Sequence, residues 1–348
     1  MRCRQIRVNK TASAVTSNTL PTTDMAPILI TGGNGFIGSV VVRKLVESGR
    51  DVRCLLRKTS KTSRIDGLPF ERADGDVRDS AAVGAAIAGC EAAIHLAGIV
   101  NWSHMDTREM NEVVVGGTKT VLDVAEAARC RKVVYVSSTL AVCGSPRPHV
   151  FDEAGDKQGS AEKLSRAKAK REAEKLCRQA VTRGLHVVIV NPAEVYGPND
   201  SALVTAGNLI EFALQSPVFV CAGGTGVVHV DDVADGIIAA LDRGRVGERY
   251  ILSGENLTVR QLAQLTIELL GQRKTIVTPP RWLVRGLAWG GRILHVPVPF
   301  NPEVIPYATR YWFVDNAKAR RELGVSFRGA RETLQATTDW LRHAGYVR

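Results

Sequence analysis

Short apolar runs alternate with amphipathic stretches along the first half of the chain. A strand buried on both faces of a parallel sheet reads as a nearly continuous apolar run, whereas apolar residues that recur every three or four positions indicate a helix packed on one side. The apolar runs predict six strands, at Ile28 to Thr31, Val52 to Leu56, Phe70 to Ala73, Ala92 to Leu96, Lys132 to Ser137 and His186 to Asn191.

The alternation of strand and helix predicts the fold class. It is typical of an α/β protein with a Rossmann-type doubly wound parallel sheet, and six strands suit a dinucleotide-binding domain. After Pro192 the pattern loosens into pieces rich in glycine and proline, an I-L-S run returns at Ile251, and the chain ends in helices and aromatic-rich segments. We expect a nucleotide-binding domain over residues 25–195 with a returning segment around 226–254, and a smaller C-terminal substrate-binding lobe over 196–225 and 255–348.

A glycine turn, T-G-G-N-G-F-I-G, directly follows the first predicted strand. Gly32 allows the chain to turn sharply off the strand, Gly35 allows close approach of a pyrophosphate, and Gly38 allows the next helix to pack against the sheet. The unpaired N–H groups at the start of that helix favour an anion at the same point. The order of strand, turn and helix therefore predicts a dinucleotide site that includes Phe36 and Ile37.

Basic residues follow the second predicted strand, where a fold that binds a ribose diol carries an acid. An acid accepts hydrogen bonds from the diol, while a guanidinium pairs with a 2′-phosphate. Arg57 and Lys58 therefore predict NADP(H) rather than NAD(H), unless both are only solvated loop charges. Further cofactor contacts are expected after the next two strands, from Asp76 and Val77 near the adenine and from Leu96, Ala97 and Gly98 beside the pyrophosphate.

The composition of the 348-residue chain argues against several classes of protein. No apolar run approaches the roughly 20 residues that span a bilayer, so the chain is not expected in a membrane. Its seven cysteines are scattered, odd in number and free of C-x-x-C pairs, which predicts neither a disulfide framework nor a metal site. A reducing cytoplasm fits this cysteine usage.

The net charge of +11 comes from dispersed basic residues without a zinc-finger or basic-zipper pattern. It favours attraction of an anionic small-molecule substrate over a nucleic-acid partner. Four basic residues precede the first acid, Asp24, in a stretch rich in serine and threonine. We expect residues 1–24 to be a flexible N-terminal extension, with Met25 as a candidate functional start and a transit peptide as the alternative.

Further motifs extend the pattern beyond the glycine turn. They are G-D-V-R-D, H-L-A-G, V-S-S-T-L-A-V-C-G, N-P-A-E-V-Y-G-P and V-V-H-V-D-D-V-A-D-G, followed by D-N-A-K-A-R-R-E-L-G and T-D-W-L. Together they resemble the extended short-chain dehydrogenase/reductases, closest to the dihydroflavonol-reductase-like and hopanoid-associated sugar-epimerase group of NAD-dependent epimerase/dehydratases. The resemblance covers Pro27 to Val347 and is specific for the fold but not for the substrate.

The resemblance implies a catalytic hydroxyl after the fifth strand and a Tyr-x-x-x-Lys pair on the next helix. In the family the tyrosine exchanges a proton with the carbonyl or alcohol, and the lysine holds the ribose and lowers the pKa of the tyrosine. Thr139 matches the hydroxyl and Lys170 matches the lysine. Ser137 and Pro192 are implied as further cofactor contacts.

Two positions depart from the family pattern. The sequence R-A-K-A-K places Arg166 at the position of the tyrosine, and no tyrosine occurs between Tyr135 and Tyr196. Val114 stands where the family usually carries an asparagine that organises the proton relay. The resemblance therefore implies an atypical active site.

Arg166 changes the chemistry because a guanidinium has a pKa above about 12 and cannot act as an acid or base near neutrality. It can still bind an anion, either Glu194 or a carboxylate or phosphate of the ligand. Proton transfer would then fall to Glu194, Tyr196 or Lys170. The alternative is that Arg166 is a solvent-facing helical residue in a site that has lost the ordinary chemistry.

The sequence thus predicts an NADP(H)-binding enzyme that acts on a carbonyl or hydroxyl group of an anionic small molecule. The alternative is a non-redox isomerase, cyclase or lyase, or a cofactor-sensing protein, in which NADP(H) is bound structurally. By resemblance a homodimer is expected, through helices near Thr118 to Ala128 and Ala167 to Arg178.

Overall fold

The computed structural model describes residues 26–99, 107–155, 164–284, 286 and 305–348. The predicted N-terminal extension over residues 1–24 lies outside the described residues. The strands in chain order are β1 (Ile28–Thr31), β2 (Val52–Leu56), β3 (Glu71–Asp74), β4 (Ala92–His95), β5 (Lys132–Val136), β6 (Val150–Phe151), β7 (Val187–Pro192), β8 (Glu194–Tyr196), β9 (Val218–Phe219), β10 (Gly224–His229), β11 (Arg249–Leu252), β12 (Glu255–Thr258), β13 (Ile276–Val277) and β14 (Tyr311–Val314).

The helices connect these strands in the order that the sequence pattern predicts. They are α1 (Phe36–Glu47), α2 (Ser80–Ile87), α3 (Thr107–Met110), α4 (Gly117–Ala127), α5 (Ser165–Thr182), α6 (Ala206–Leu214), α7 (Val230–Arg243), α8 (Val259–Leu269), α9 (Ile305–Ala308), α10 (Ala317–Leu323) and α11 (Ala330–His343). A wide helical turn over Asn111–Gly116 joins α3 to α4, and a single tight helical turn over Thr139–Ala141 follows β5.

Seven parallel strands form the central sheet in the spatial order β11-β7-β5-β4-β1-β2-β3. The sheet confirms the predicted doubly wound fold. The chain leaves β1 towards β2 and β3 on one side and later returns to β4 on the other, so β1 and β4 flank the point where the winding direction reverses. Ligands of such folds bind at this point, outside the carboxyl ends of the strands.

The predicted strands match the observed ones within one residue at each end. All four residues of β1 are buried, as are all five of β5, because helices cover both faces of the sheet. β3 differs from these strands in burial, since three of its four residues are exposed. It begins at Glu71, one residue after the predicted Phe70. Its place at the edge of the sheet explains this exposure.

Two helical layers cover the sheet. On one face α1, α7 and α10 bury a cluster that includes Val41, Ile237 and Leu323. On the other face α2, α4 and α5 bury a cluster that includes Val121 and Cys177. The two helices of the expected homodimer surface, α4 and α5, therefore pack beside each other in this second layer.

A second sheet and three helices form the smaller lobe. The sheet order is β12-β10-β14-β6, with β8 also paired to β10, and α6, α8 and α11 pack together in a third apolar cluster. Of the predicted returning segment, α7 and β11 belong to the central layers while β10 belongs to this second sheet. The β10–α7 junction at His229 and Val230 therefore links the two lobes.

Among the described residues, none of the helices combines the length and apolar character needed to cross a membrane.

Candidate active site

A cleft of about 400 Å³ follows the carboxyl ends of the central strands and reaches the smaller lobe. Most of the predicted site residues line it: Gly32, Gly35, Phe36, Ile37, Gly38, Arg57, Asp76, Val77, Leu96, Ala97, Gly98, Ser137, Thr139, Arg166, Lys170, Pro192 and Glu194. Of the predicted set, Lys58 and Tyr196 lie outside this lining. The fold therefore gathers residues from seven separate segments around one space.

The glycine turn has a backbone that side chains would not permit. Gly32 has a φ of +73°, and a Cβ added there would lie 2.8 Å from the backbone nitrogen of Ala97 after β4. A Cβ on Gly38 would overlap the backbone of Gly32. No side chain caps the N-terminus of α1, so its first N–H groups face the cleft beside this turn. These features fit a pyrophosphate.

Polar residues that follow β2 and β3 line another part of the cleft. Arg57 is exposed and lines the cleft, while Lys58 is exposed outside it. Asp76 pairs with Arg78 at 2.9 Å, and the hydrogen bond from Arg78 holds the pKa of Asp76 below its ordinary value. Arg57 is therefore the basic residue at the position where a 2′-phosphate is expected.

Lys170 is fixed on the central part of the cleft. Its Nζ donates a 3.0 Å hydrogen bond to the carbonyl oxygen of Val136 at the end of β5 and lies 5.1 Å from the ring centroid of Tyr135. Burial, followed by the positive charge of Arg166, lowers the pKa of Lys170 to about 8. Thr139 lines the same part of the cleft from the short turn after β5.

Arg166 lies in the first turn of α5, one helical turn before Lys170. Its side chain lines the cleft, and its Nη1 atom is fully buried. Burial lowers the pKa of Arg166, and the nearby Tyr307 acts in the opposite direction. The structure thus contradicts the alternative that Arg166 is a solvent-facing helical residue.

Glu194 faces the cleft from β8. Burial raises its pKa to about 7, although the nearby Thr225 and Tyr196 hydroxyls and the Asn208 amide act in the opposite direction. The Nδ2 atom of Asn208 donates to Oε1 at 3.3 Å. Near neutral pH the carboxyl is therefore divided between its acid and base forms, as proton transfer requires.

Tyr196 occupies a different environment from the one expected of a proton donor. Its side chain is completely buried behind Glu194, outside the cleft lining, and burial raises its pKa well above the ordinary value. This buried position favours an indirect influence of Tyr196 on proton transfer, exerted through the pKa of Glu194.

Tyr307 is a cleft residue that the sequence analysis did not identify. It belongs to α9 of the smaller lobe and lines the cleft together with Arg166 and Glu194. Its ring stacks on Trp312 at a centroid distance of 5.0 Å, and Trp312 Nε1 donates a 3.0 Å hydrogen bond to the Tyr307 carbonyl oxygen. The aromatic-rich stretch around it was visible in the sequence, but its approach to Arg166 was not.

Within the described ranges, the structure has no group of three or more His, Cys, Asp or Glu side chains placed to hold a metal ion. The cleft lining supplies hydroxyl, carboxyl, amine and guanidinium groups.

Comparison with known proteins agrees with this geometry. Residues 28–253 match the model of the NAD dependent epimerase/dehydratase family. The chain is 32% identical to the sterol demethylase protein B of Methylococcus capsulatus, over 92% of this chain and 99% of that protein. It is 30% identical to a putative dihydroflavonol 4-reductase of Synechocystis, over 92% of this chain and 95% of that one.

The fold also has a solved counterpart. The crystal structure of gox2253 superposes with a TM-score of 0.80 at 31% sequence identity, covering 93% of this chain and all of that one.

Proposed function

Because this chain belongs to the NAD dependent epimerase/dehydratase family, we propose that it is an NADP(H)-binding enzyme acting on a carbonyl or hydroxyl group of an anionic small molecule. The observation that carries the proposal is the cleft that joins the glycine turn to Thr139, Lys170, Arg166 and Glu194. A bound nicotinamide nucleotide would supply hydride transfer there, and the side chains would supply binding and protons.

The preference for NADP(H) rests on the end of β2. This strand ends at Leu56, and the next residue that lines the cleft is Arg57 rather than an acid. A guanidinium forms charge-assisted hydrogen bonds with a phosphate and lacks the acceptor that a ribose diol needs. Gly32 and Gly38 provide the space for the pyrophosphate at the start of α1.

The preference for an anionic substrate rests on Arg166. Its guanidinium lines the cleft near the Lys170 amine, and the two positive charges favour an anionic group there. A carboxylate or phosphate on the substrate would meet the planar donor pattern of the guanidinium, while the Thr139 hydroxyl would orient the reacting oxygen. The name of the Synechocystis relative, a putative reductase, supports chemistry on a carbonyl.

The test is NADPH consumption against a panel of carbonyl compounds, each carboxylate paired with its neutral amide. We expect consumption to be faster with the carboxylates, and Arg166→Ala to remove most of the difference. Arg171→Ala, a change on the same helix outside the cleft lining, is the control. Equal rates for both members of every pair would contradict the anionic preference.

Arg166 also motivates the second candidate, a non-redox isomerase, cyclase or lyase. Hydride donation leaves a positive nicotinamide, which a buried cation nearby opposes. Tight NADPH binding without consumption across the panel would favour this candidate, and product analysis at constant NADPH would then identify the conversion.

A further inference from the structure

We propose that Tyr307 of the smaller lobe is the proton donor of this active site and that Arg166 and Glu194 support it. The inference rests on the proposed function and names a catalytic residue for it. Arg166 itself cannot donate a proton near neutrality, so the cleft needs another donor.

The position of Tyr307 supports this role. It lines the cleft with Thr139, Lys170 and Arg166, although it comes from α9 rather than from α5. Stacking on Trp312 and the hydrogen bond from Trp312 Nε1 hold the α9 backbone and the ring together. Trp312 is itself 1% exposed, so Tyr307 is placed on a rigid support.

The surroundings of the phenol keep it protonated until it reacts. Burial raises the pKa of Tyr307 most and Glu194 raises it further, while Arg166 acts to lower it. The Thr225 hydroxyl, which donates to the Gly226 carbonyl oxygen, acts to lower the pKa of both Tyr307 and Glu194. Tyr307 thus shares the cleft with a cation that stabilises its phenolate and with a carboxyl that can restore its proton.

These groups account for the proton that the reduction of a carbonyl consumes. A bound reduced nicotinamide would supply the hydride to the carbonyl carbon. Tyr307 donates its phenolic proton to the substrate oxygen, and its own O–H bond breaks. The resulting phenolate is stabilised by the Arg166 guanidinium. Glu194, which lines the same cleft and is partly protonated near neutral pH, returns a proton to the phenolate and regains one from solvent.

The other candidates are less well placed. Tyr196 lies outside the cleft lining, and the Lys170 amine donates to the Val136 carbonyl oxygen. Glu194 is better suited to returning the proton to Tyr307, since its carboxyl accepts from the Asn208 amide and is partly protonated near neutral pH.

The first experiment compares Tyr307→Phe with Tyr311→Phe, a change to a tyrosine of β14 outside the cleft lining. Loss of a general acid lowers kcat by about 100-fold or more. We expect this for Tyr307→Phe, with KM and the Kd of NADPH, measured by fluorescence, within about threefold of wild type. Tyr311→Phe should keep wild-type kcat. Wild-type kcat in Tyr307→Phe would overturn the proposal.

A second experiment does not depend on turnover. The six tyrosines are replaced by a tetrafluorinated tyrosine, whose phenol is several pH units more acidic and so offsets the rise in pKa that burial causes, and the Tyr307 ¹⁹F signal is assigned by its loss in Tyr307→Phe. Arg166→Gln should raise the titration midpoint of this signal and Glu194→Gln should lower it, each by about 1 pH unit. A midpoint that neither variant moves would overturn the proposal.

The two experiments separate this inference from the function on which it rests. A wild type that consumes no NADPH would contradict the redox function, while the two opposite ¹⁹F shifts would still support Tyr307 as the titrating acid of the cleft. A wild type that reduces carbonyls while Tyr307→Phe does so equally well would contradict only the inference.

Discussion

The Ser137 hydroxyl donates a 2.6 Å hydrogen bond to the carboxylate of Glu174, which lies on α5 and is 1% exposed. The same carboxylate accepts from Asn191 at 2.7 Å and from Arg249 at 3.1 Å. This buried network ties β5, α5, β7 and β11 together directly beneath the cleft. Ser137, expected to contact the cofactor, therefore has its hydroxyl directed into the protein.

Glu174→Leu should strongly destabilise the fold. Removing one partner from a buried charged network typically costs about 3 to 5 kcal/mol, because Arg249 would keep an uncompensated charge and Ser137 and Asn191 would lose their acceptor. Denaturant unfolding measures the loss. Glu172→Leu, on an exposed position of the same helix, should cost less than about 1 kcal/mol. Similar losses in both variants would show that the network contributes little.

Arg57→Ala should remove most of the preference for NADPH over NADH. A charge-assisted bond to a phosphate contributes about 1.5 to 3 kcal/mol, which is roughly ten- to a hundredfold in affinity. Fluorescence titration with both cofactors measures the ratio. Arg131→Ala removes an exposed arginine just before β5, at the opposite end of the sheet, and should leave the ratio unchanged. Equal Kd values for NADPH and NADH in the wild type would refute the assignment.

Lys170→Ala should weaken NADPH binding about tenfold or more, because it removes a charged donor from the cleft. With a pKa of about 8, Lys170 loses its charge as the pH rises through that value. Wild-type affinity should therefore fall above pH 8, and the affinity of the variant should not share that fall. Lys168→Ala, an exposed lysine two residues earlier, is the matched control and should behave as wild type.

Glu194 should make stability depend on pH. Its carboxyl ionises near the ordinary value of 4.5 when unfolded and near 7 when folded, so burial favours the protonated form of the native protein. Relative to Glu194→Gln, the wild type should lose stability as the pH rises from about 4.5 to 7, by on the order of 3 kcal/mol in total.

The measurement is the difference in unfolding free energy between wild type and Glu194→Gln across this pH range. Glu47→Gln, at the exposed end of α1, should show no such trend. A difference that stays constant with pH would show that Glu194 ionises normally in the folded protein.

The central sheet and the glycine turn were predictable because their signals are local. Apolar runs such as I-L-I-T identify strands buried on both faces, and the turn after β1 needs the positive φ that Gly32 adopts. The motif that places Arg166 one turn before Lys170 also lies within one helix, so the sequence alone brought both to the same face.

The contacts between the smaller lobe and the residues of the cleft were decided only by tertiary structure. Tyr307 reaches Arg166 from a distant part of the chain, Glu194 gains its raised pKa from burial beside Thr225 and Asn208, and Tyr196 turns away from the cleft. None of these contacts has a periodicity or a fixed spacing. The sequence alone determined the fold and the segments predicted to hold a dinucleotide. Packing of the two lobes determined which acidic side chains face the cleft, because burial and charge proximity arise only when distant segments meet.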